Sequence, residues 1–143
     1  MATFEKSFTK TVKAEGGYVN DPNDAGGETY MGVTRKYHPN LAMWNKIDKY
    51  KKSLSKKELN KVLKEDEQVQ KDVRSVYWNS YWKPLRLDEV NSQLIANQFF
   101  DNAINCGVTA TIKLMQKIKL MKVTGKMSNE LIKKYGKAIR RKS

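Results

Sequence analysis

Apolar residues recur at helical spacing through most of the chain, and one polar segment near the start interrupts them. Phe4, Phe8 and Val12 predict a first helix over residues 3–15, which ends at a Gly-Gly pair. The segment 16–33 is rich in Gly, Asn and Asp, a composition that favours turns or a short hairpin. We therefore predict a mainly α-helical chain with a hairpin or loop region after the first helix.

Helical patterns resume after the polar segment. Thr34 is predicted to cap a helix that reaches about Trp44. Ser55 and Glu58 form a capping-box pattern that opens helical stretches reaching Tyr81, with a break near residues 64–66. The remaining predicted helices run from about Asn91 to Cys106, from a Thr109 cap to about Met121, and from a Ser128 cap into the basic C-terminal tail.

The net charge of the chain limits the classes of partner that it is expected to bind. Lys and Arg total 28 against 15 Asp and Glu, a net charge of +13. This excess favours a polyanionic partner, which is a nucleic acid, an anionic membrane surface or an anionic cell wall. Nucleic acid is not expected, because the basic residues are spread over nearly every segment and no recognition-helix motif stands out.

Composition predicts a single folded domain. Apolar residues make up 39% of the 143 positions, which is enough for one core. No apolar segment reaches the roughly 20 residues of a membrane span, and the start lacks the apolar region of a signal peptide, so we expect synthesis in the cytoplasm.

Cys106 lies in an apolar helical stretch and is predicted to be a buried thiol. No zinc-type cluster surrounds the single histidine, His38, and neither metal nor cofactor is predicted.

Glu15 is predicted to lie on the apolar face of the first helix, which is unusual for a carboxylate. At about 100° per residue it falls roughly 20° from both Phe4 and Phe8, on the apolar stripe. Partial burial and the negative end of the helix dipole would both raise the pKa of this carboxyl. A carboxyl that stays protonated near neutral pH suits a general acid for glycosidic oxygen. A frayed helix end with Glu15 in solvent is the alternative.

The polar segment gathers further candidates: Asp21, Asp24, Glu28, Thr29 and Thr34. Acidic residues in turns commonly form Asx-turns and caps. A calcium loop is not indicated, because the spacing does not follow the D-x-D-x-D-G pattern with a Glu at the twelfth position.

Three segments carry distinctive motifs. Residues 15–34 read EGGYVNDPNDAGGETYMGVT, residues 81–85 read YWKPL, and residues 99–107 read FFDNAINCG. Together they resemble the signature, the Tyr-Trp-x-Pro element and the Phe-Asp-x-Ala-x-Asn-x-Gly element of glycoside hydrolase family 108, the lysozyme-like N-acetylmuramidases. The run TIKLMQKIKL that follows resembles the start of a peptidoglycan-binding segment.

The resemblance implies a lysozyme-like helical fold that cleaves the β-1,4 bond between N-acetylmuramic acid and N-acetylglucosamine. By the family motif, Glu15 is the catalytic acid. A glycosidase needs a second group, and Asp24 is the first candidate, with Thr29 or Thr34 orienting the attacking water. Retaining or inverting stereochemistry stays open.

Several other residues are predicted to contact substrate. Tyr18, Asn20 and Tyr30 lie in the polar segment, although aromatic residues at such positions are also common in cores. Asp101 and Asn105 lie one turn apart on the same polar arc as Gln98. From the pattern alone this arc is a solvated helix face, whereas the resemblance implies a place beside the cleft.

The resulting prediction is a monomeric muramidase of the phage-endolysin or prophage type that acts on peptidoglycan after holin-type or other release. We predict a catalytic region over residues 1–86 and a helical peptidoglycan-binding-like segment over residues 87–143, packed together as one compact domain. The alternative is a non-catalytic peptidoglycan-binding or secretion-associated protein of the same fold. Intact Glu15 and its loop speak against that alternative.

Overall fold

Seven α-helices and one three-stranded sheet form the part of the chain that the computed structural model describes, which is residues 1–12, 16–23 and 26–136. The chain divides into two units, Val12–Val76, and Met1–Thr11 together with Tyr77–Ser143. The many helices and the small sheet after the first of them confirm the predicted mainly α, lysozyme-like fold class. The predicted division into residues 1–86 and 87–143 stays a prediction.

The unit Val12–Val76 contains the sheet. Its strands, β1 (Tyr18–Asn20), β2 (Glu28–Tyr30) and β3 (Val33–Thr34), are antiparallel neighbours in that order. The helices that follow are α2 (Met43–Lys51), α3 (Lys56–Glu65) and α4 (Glu67–Tyr77). Apolar side chains from the sheet and from all three helices are buried, including Tyr30, Val33, Trp44, Ile47, Leu63 and Val73.

The capping box at the start of α3 is confirmed. Ser55 Oγ accepts the backbone N–H of Glu58 at 3.2 Å, and the backbone N–H of Ser55 donates to Glu58 Oε1 at 3.0 Å. The predicted break falls at Asp66, whose Oδ1 accepts the backbone N–H of Val69 at 3.1 Å. Asp66 therefore ends α3 and caps α4.

The predicted helix from Thr34 to Trp44 is wrong. Thr34 lies in β3 opposite Thr29, and α2 does not begin until Met43. The Thr34 hydroxyl does accept the N–H of Tyr37, at 3.4 Å, but it closes a turn and not a helix. Pro39 explains the difference, since a proline disfavours the helical conformation at the residue before it.

The second unit holds the remaining helical elements. These are the first helix α1 (Phe4–Val12, all but its last residue), a π-helical turn Trp78–Trp82, a 3-10 turn Leu87–Glu89, α5 (Gln93–Cys106), α6 (Val108–Ile118) and α7 (Asn129–Lys133). Phe4 is central to an aromatic cluster, with ring centroids 5.3 to 5.9 Å from those of Phe8, Trp78, Trp82 and Phe100. The YWKPL motif therefore places its buried tryptophan in a core.

Gly107 separates helix α5 from helix α6. Gly107 adopts φ +96°, so the chain turns at one residue and α6 restarts at Val108. The predicted Thr109 cap is therefore wrong, because Thr109 already lies inside the first turn of α6.

Cys106 is exposed at the last residue of α5, which makes the predicted buried thiol wrong as well. The Ser128 cap is confirmed, with its Oγ accepting the N–H of Leu131 at 3.1 Å.

Candidate active site

The sheet that follows the first helix has two unlike faces. Tyr18 pairs with Tyr30, Val19 with Thr29, and Thr29 with Thr34. Because side chains alternate along a strand, Val19, Thr29 and Thr34 share one face, which we call the open face. The opposite face carries Tyr18, Asn20, Glu28, Tyr30 and Val33. The sequence candidates are thus split between a solvent-accessible face and a largely buried one.

The open face brings together the two threonines that were predicted to orient water. Thr29 and Thr34 are direct cross-strand partners and both are half-buried, and such pairs have Cβ atoms about 4.5 to 5.5 Å apart. Val19 beside them is 40% exposed. The two hydroxyl-bearing side chains can therefore act on one ligand.

The opposite face holds the two tyrosines as core residues. Tyr30 is only 2% exposed, and its hydroxyl accepts a hydrogen bond from Gln70 Nε2 at 3.2 Å. Burial raises the pKa of Tyr30, with the Gln70 hydrogen bond opposing it. Tyr18 is also buried, which leaves neither ring an open face for a sugar. We therefore leave both tyrosines out of the proposed substrate contacts, while Asn20 is exposed at the end of β1.

A cluster of charged groups ties this sheet to α2. We call it the hairpin ion cluster, and its members are Tyr18, Glu28, Arg35, Asp48 and Lys51. Glu28 accepts hydrogen bonds from the Tyr18 hydroxyl, from Arg35 Nη1 at 3.0 Å and from Lys51 Nζ at 3.0 Å. Arg35 also donates hydrogen bonds to both carboxylate oxygens of Asp48, from Nη1 at 2.7 Å and from Nη2 at 2.8 Å. The bidentate geometry fixes β2 and the chain after β3 to the helix.

The cluster keeps both of its carboxylates ionised. Burial by itself would raise the pKa of Glu28, but hydrogen bonds from Tyr18, Lys51 and Arg35 outweigh it and the pKa is lowered. The Arg35 guanidinium lowers the pKa of Asp48 to about 2. A carboxylate that holds no proton at neutral pH accepts hydrogen bonds but cannot act as a general acid. Glu28 is therefore an anchor of the sheet.

Acid should weaken this cluster in a defined pH window. The folded pKa of Asp48, about 2, lies below its ordinary value of 3.8, so its stabilising effect is complete above about pH 4 and is lost as pH falls toward 2. Urea unfolding of wild type and Asp48→Asn across pH 2 to 7 measures this. We expect wild type to be the more stable at neutral pH and the difference to shrink below about pH 4. A difference that is constant over the whole range would contradict the assignment.

Asn60 of α3 fixes the start of β1, next to the Gly-Gly pair. Its Oδ1 accepts the backbone N–H of Tyr18 at 2.9 Å. A Cβ added at Gly17 would lie 2.8 Å from Asn60 Cγ, closer than real Cβ atoms approach. At Gly16 no described atom lies within 4 Å of such a Cβ. A side chain at the second glycine of the pair, two residues after Glu15, would therefore displace the Asn60 amide.

This difference between the glycines predicts unequal stability of two alanine variants. Gly17→Ala should lower the free energy of unfolding by about 1 to 3 kcal/mol, since the Asn60 amide must move and release Tyr18. Gly16→Ala is the matched control and should change stability little. Thermal unfolding of both, of Asn60→Ala, and of Gly17→Ala combined with Asn60→Ala tests the contact. Costs of Gly17→Ala and Asn60→Ala that simply add in the double variant would show that the clash is not responsible.

Glu15 and Asp24, the two predicted catalytic carboxyls, lie outside the described residues. Their described neighbours show local order: Asp21 Oδ1 accepts the N–H of Asn23 at 2.9 Å, which is an Asx-turn. Gly27 has φ +68°, a conformation that favours glycine at the turn into β2.

Asp101 and Asn105 lie on an exposed face of α5, in the other unit. The Asn105 side-chain amide donates to the backbone carbonyl of Asp101 at 3.0 Å. This is the solvated face that the pattern indicates, and the proposed contact of these residues with substrate stays a prediction.

Sequence reasoning missed Asn60 and three members of the ion cluster, Arg35, Asp48 and Lys51. A signal existed for two of them, because Asp48 and Lys51 are three positions apart and share a helix face with Nζ and Oδ1 at 3.3 Å. The predicted end of the helix near Trp44 hid that spacing.

Two further properties concern the described ranges only. In residues 1–12, 16–23 and 26–136, no group of three or more His, Cys, Asp or Glu is placed to hold a metal ion. Within those same ranges, no helix combines the length and the apolar character needed to cross a bilayer.

Comparison with known proteins points to one family. Residues 8–107 match the family model described as Glycosyl hydrolase 108. No curated protein matches the chain. Among solved structures, that of Brucella abortus SagA has a TM-score of 0.62 at 24% sequence identity, and the match covers 92% of this chain and 67% of that one. At this identity the structural likeness shows a shared fold.

Proposed function

Because the chain belongs to glycosyl hydrolase family 108, we propose that it is an N-acetylmuramidase that hydrolyses the β-1,4 bond between N-acetylmuramic acid and N-acetylglucosamine. Membership makes it a glycoside hydrolase, and the family implies peptidoglycan as its substrate. The observation that carries the proposal is the family match over residues 8–107, which includes the whole motif of residues 15–34.

The proposed chemistry uses two carboxyl groups. Glu15 protonates the glycosidic oxygen, and Asp24 acts as the second group on the sugar. Thr29 or Thr34 orients the attacking water, and the pairing of these residues on the open face supports that role. The exposed amide of Asn20 at the end of β1 is available to hydrogen bond with the sugar.

The segment after the family match is proposed to aid attachment to the wall. Residues 108–136 contain seven lysines and one acidic residue, Glu130. Peptidoglycan carries carboxylates, and in some walls it carries phosphate polymers, so this charge favours binding. We further propose an endolysin or prophage role, with the protein made in the cytoplasm and reaching the wall through a holin-type or other route.

Mass analysis of the fragments released from purified peptidoglycan tests the proposed bond. A muramidase adds one water per cleaved bond and leaves N-acetylmuramic acid at the new reducing end. Fragments that end in reducing N-acetylglucosamine would move the cleavage to the other glycosidic bond. Fragments that end in a 1,6-anhydro ring would show cleavage without water, and no fragments at all would favour the non-catalytic alternative.

A further inference from the structure

Helix α6 ends in a Schellman motif whose left-handed position is a leucine. The N–H of Met121 donates to the carbonyl of Gln116 at 2.9 Å, and the N–H of Leu120 donates to that of Lys117 at 3.1 Å. Leu120 has φ +56°, the conformation for which glycine is the usual residue at this position. A residue other than glycine strains the backbone in this conformation, because its Cβ comes close to the following carbonyl oxygen.

Leu120 also gains nothing from burial. It is 94% exposed, and its apolar neighbours Ile118 and Val123 are 53% and 41% exposed. A side chain that neither packs nor suits its backbone does not serve the stability of the folded chain. These residues form an apolar projection at the end of α6.

The loop that carries this projection is itself well fixed. Gln116 is 3% exposed, and its Oε1 accepts the N–H groups of Thr124 and Gly125 at 2.9 and 3.0 Å. Its Nε2 donates to Thr124 Oγ1 at 2.9 Å and to the carbonyl of Lys126 at 3.3 Å. The buried amide thus folds residues 119–126 back onto α6, with Leu120 held in solvent.

Several lysines line the same groove as Leu120. The groove has a volume of about 510 Å³, with Lys119, Lys122, Lys126 and Lys134 in its walls and Glu130 as its acidic residue. Lys119 Nζ lies 4.7 Å from the centre of the Tyr135 ring. The surface therefore combines an exposed aliphatic side chain, that of Leu120, with several positively charged lysines.

We propose that this surface, residues 118–126 with Lys134, docks on an anionic lipid bilayer. Leu120 enters the boundary between headgroups and acyl chains, while the lysines contact lipid phosphates. Interfacial binding of this kind needs both apolar insertion and basic charge. A soluble phosphate polymer would use the lysines but has no need of an aliphatic tip, so the exposure of Leu120 favours the membrane. The inference adds the bilayer as a second anionic surface to the wall attachment proposed for the same basic segment, and it is independent of the proposed hydrolysis.

Co-sedimentation of the full chain with vesicles tests the docking. Wild type should bind vesicles that contain phosphatidylglycerol and should bind pure phosphatidylcholine vesicles weakly. Leu120→Gly should lower the affinity for anionic vesicles by about tenfold, while its thermal midpoint should stay equal or rise because glycine relieves the strained backbone. Loss of binding together with equal or higher stability separates docking from misfolding.

Two controls make the result decisive. Leu94→Ala removes a leucine that is 60% exposed in α5 and does not line the groove, and it should bind as wild type does. Leu120→Met keeps an apolar tip and should retain most of the affinity. Equal vesicle affinity of wild type and Leu120→Gly would overturn the proposal. Strong binding to soluble polyphosphate that Leu120→Gly leaves unchanged, without vesicle binding, would also overturn it and leave the wall as the proposed ligand of these lysines.

Discussion

Replacing Glu15 with glutamine is expected to lower peptidoglycan hydrolysis by at least about a hundredfold. Glutamine keeps the size and polarity of the side chain but has no acidic proton to give to the glycosidic oxygen. Substrate binding and thermal midpoint should change little, since only proton transfer is removed. Release of reducing ends from purified peptidoglycan measures the rate, and sedimentation with insoluble wall measures binding.

A matched variant separates chemistry from loss of charge. Glu65→Gln makes the same substitution at the end of α3, where the side chain is exposed, and should leave the rate unchanged. If Glu15→Gln retained more than about a tenth of wild-type activity, Glu15 would not be the acid. A large fall in its thermal midpoint would instead indicate a structural role.

Local signals in the sequence predicted most helix boundaries. The capping box at Ser55, the Ser128 cap and the stop at Gly107 all act within a few residues, so a single sequence reveals them. Thr34 shows the limit of that approach. Its hydroxyl makes a cap-like hydrogen bond, but pairing with Thr29 and the nearby Pro39 direct the chain into a strand and turns.

The candidate site was predicted less completely than the fold, because much of it depends on contacts between distant segments. Asn60 meets the start of β1 across 42 positions of sequence, and Arg35 meets Asp48 across 13. Periodicity cannot report such pairs. Tyr30 shows a second effect of tertiary structure, since its place in a motif predicts sugar contact while the pleat of β2 directs its side chain to the core.

Three sets of hydrogen bonds have the common effect of holding strands β1 and β2 in place. Asn60 holds the backbone of Tyr18, the hairpin ion cluster holds Glu28, and Gln70 holds the hydroxyl of Tyr30. Together they fix both strands between which Asp24 lies in the sequence. A catalytic group on a connection between strands gains accuracy when the strands themselves are fixed.

Replacing Asp24 with asparagine is expected to lower turnover by about two to four orders of magnitude with little change in substrate affinity. An aspartate that holds or activates the attacking water, or that meets charge on the sugar, acts mainly in the transition state. Asparagine has nearly the same shape but carries no charge and is a poor base. The effect should therefore appear in kcat and not in KM.

Asp21→Asn provides the comparison that decides between chemistry and architecture. Asp21 forms the Asx-turn with Asn23, a task that asparagine performs almost as well, so this variant should retain near-normal turnover and thermal midpoint. If Asp24 served the turn in the same way, Asp24→Asn would be equally silent. Near-normal turnover in Asp24→Asn would therefore remove Asp24 from the chemistry and transfer the second role to another group of the segment. A loss of turnover confined to Asp24→Asn, at unchanged thermal midpoint, is the result that a catalytic Asp24 requires.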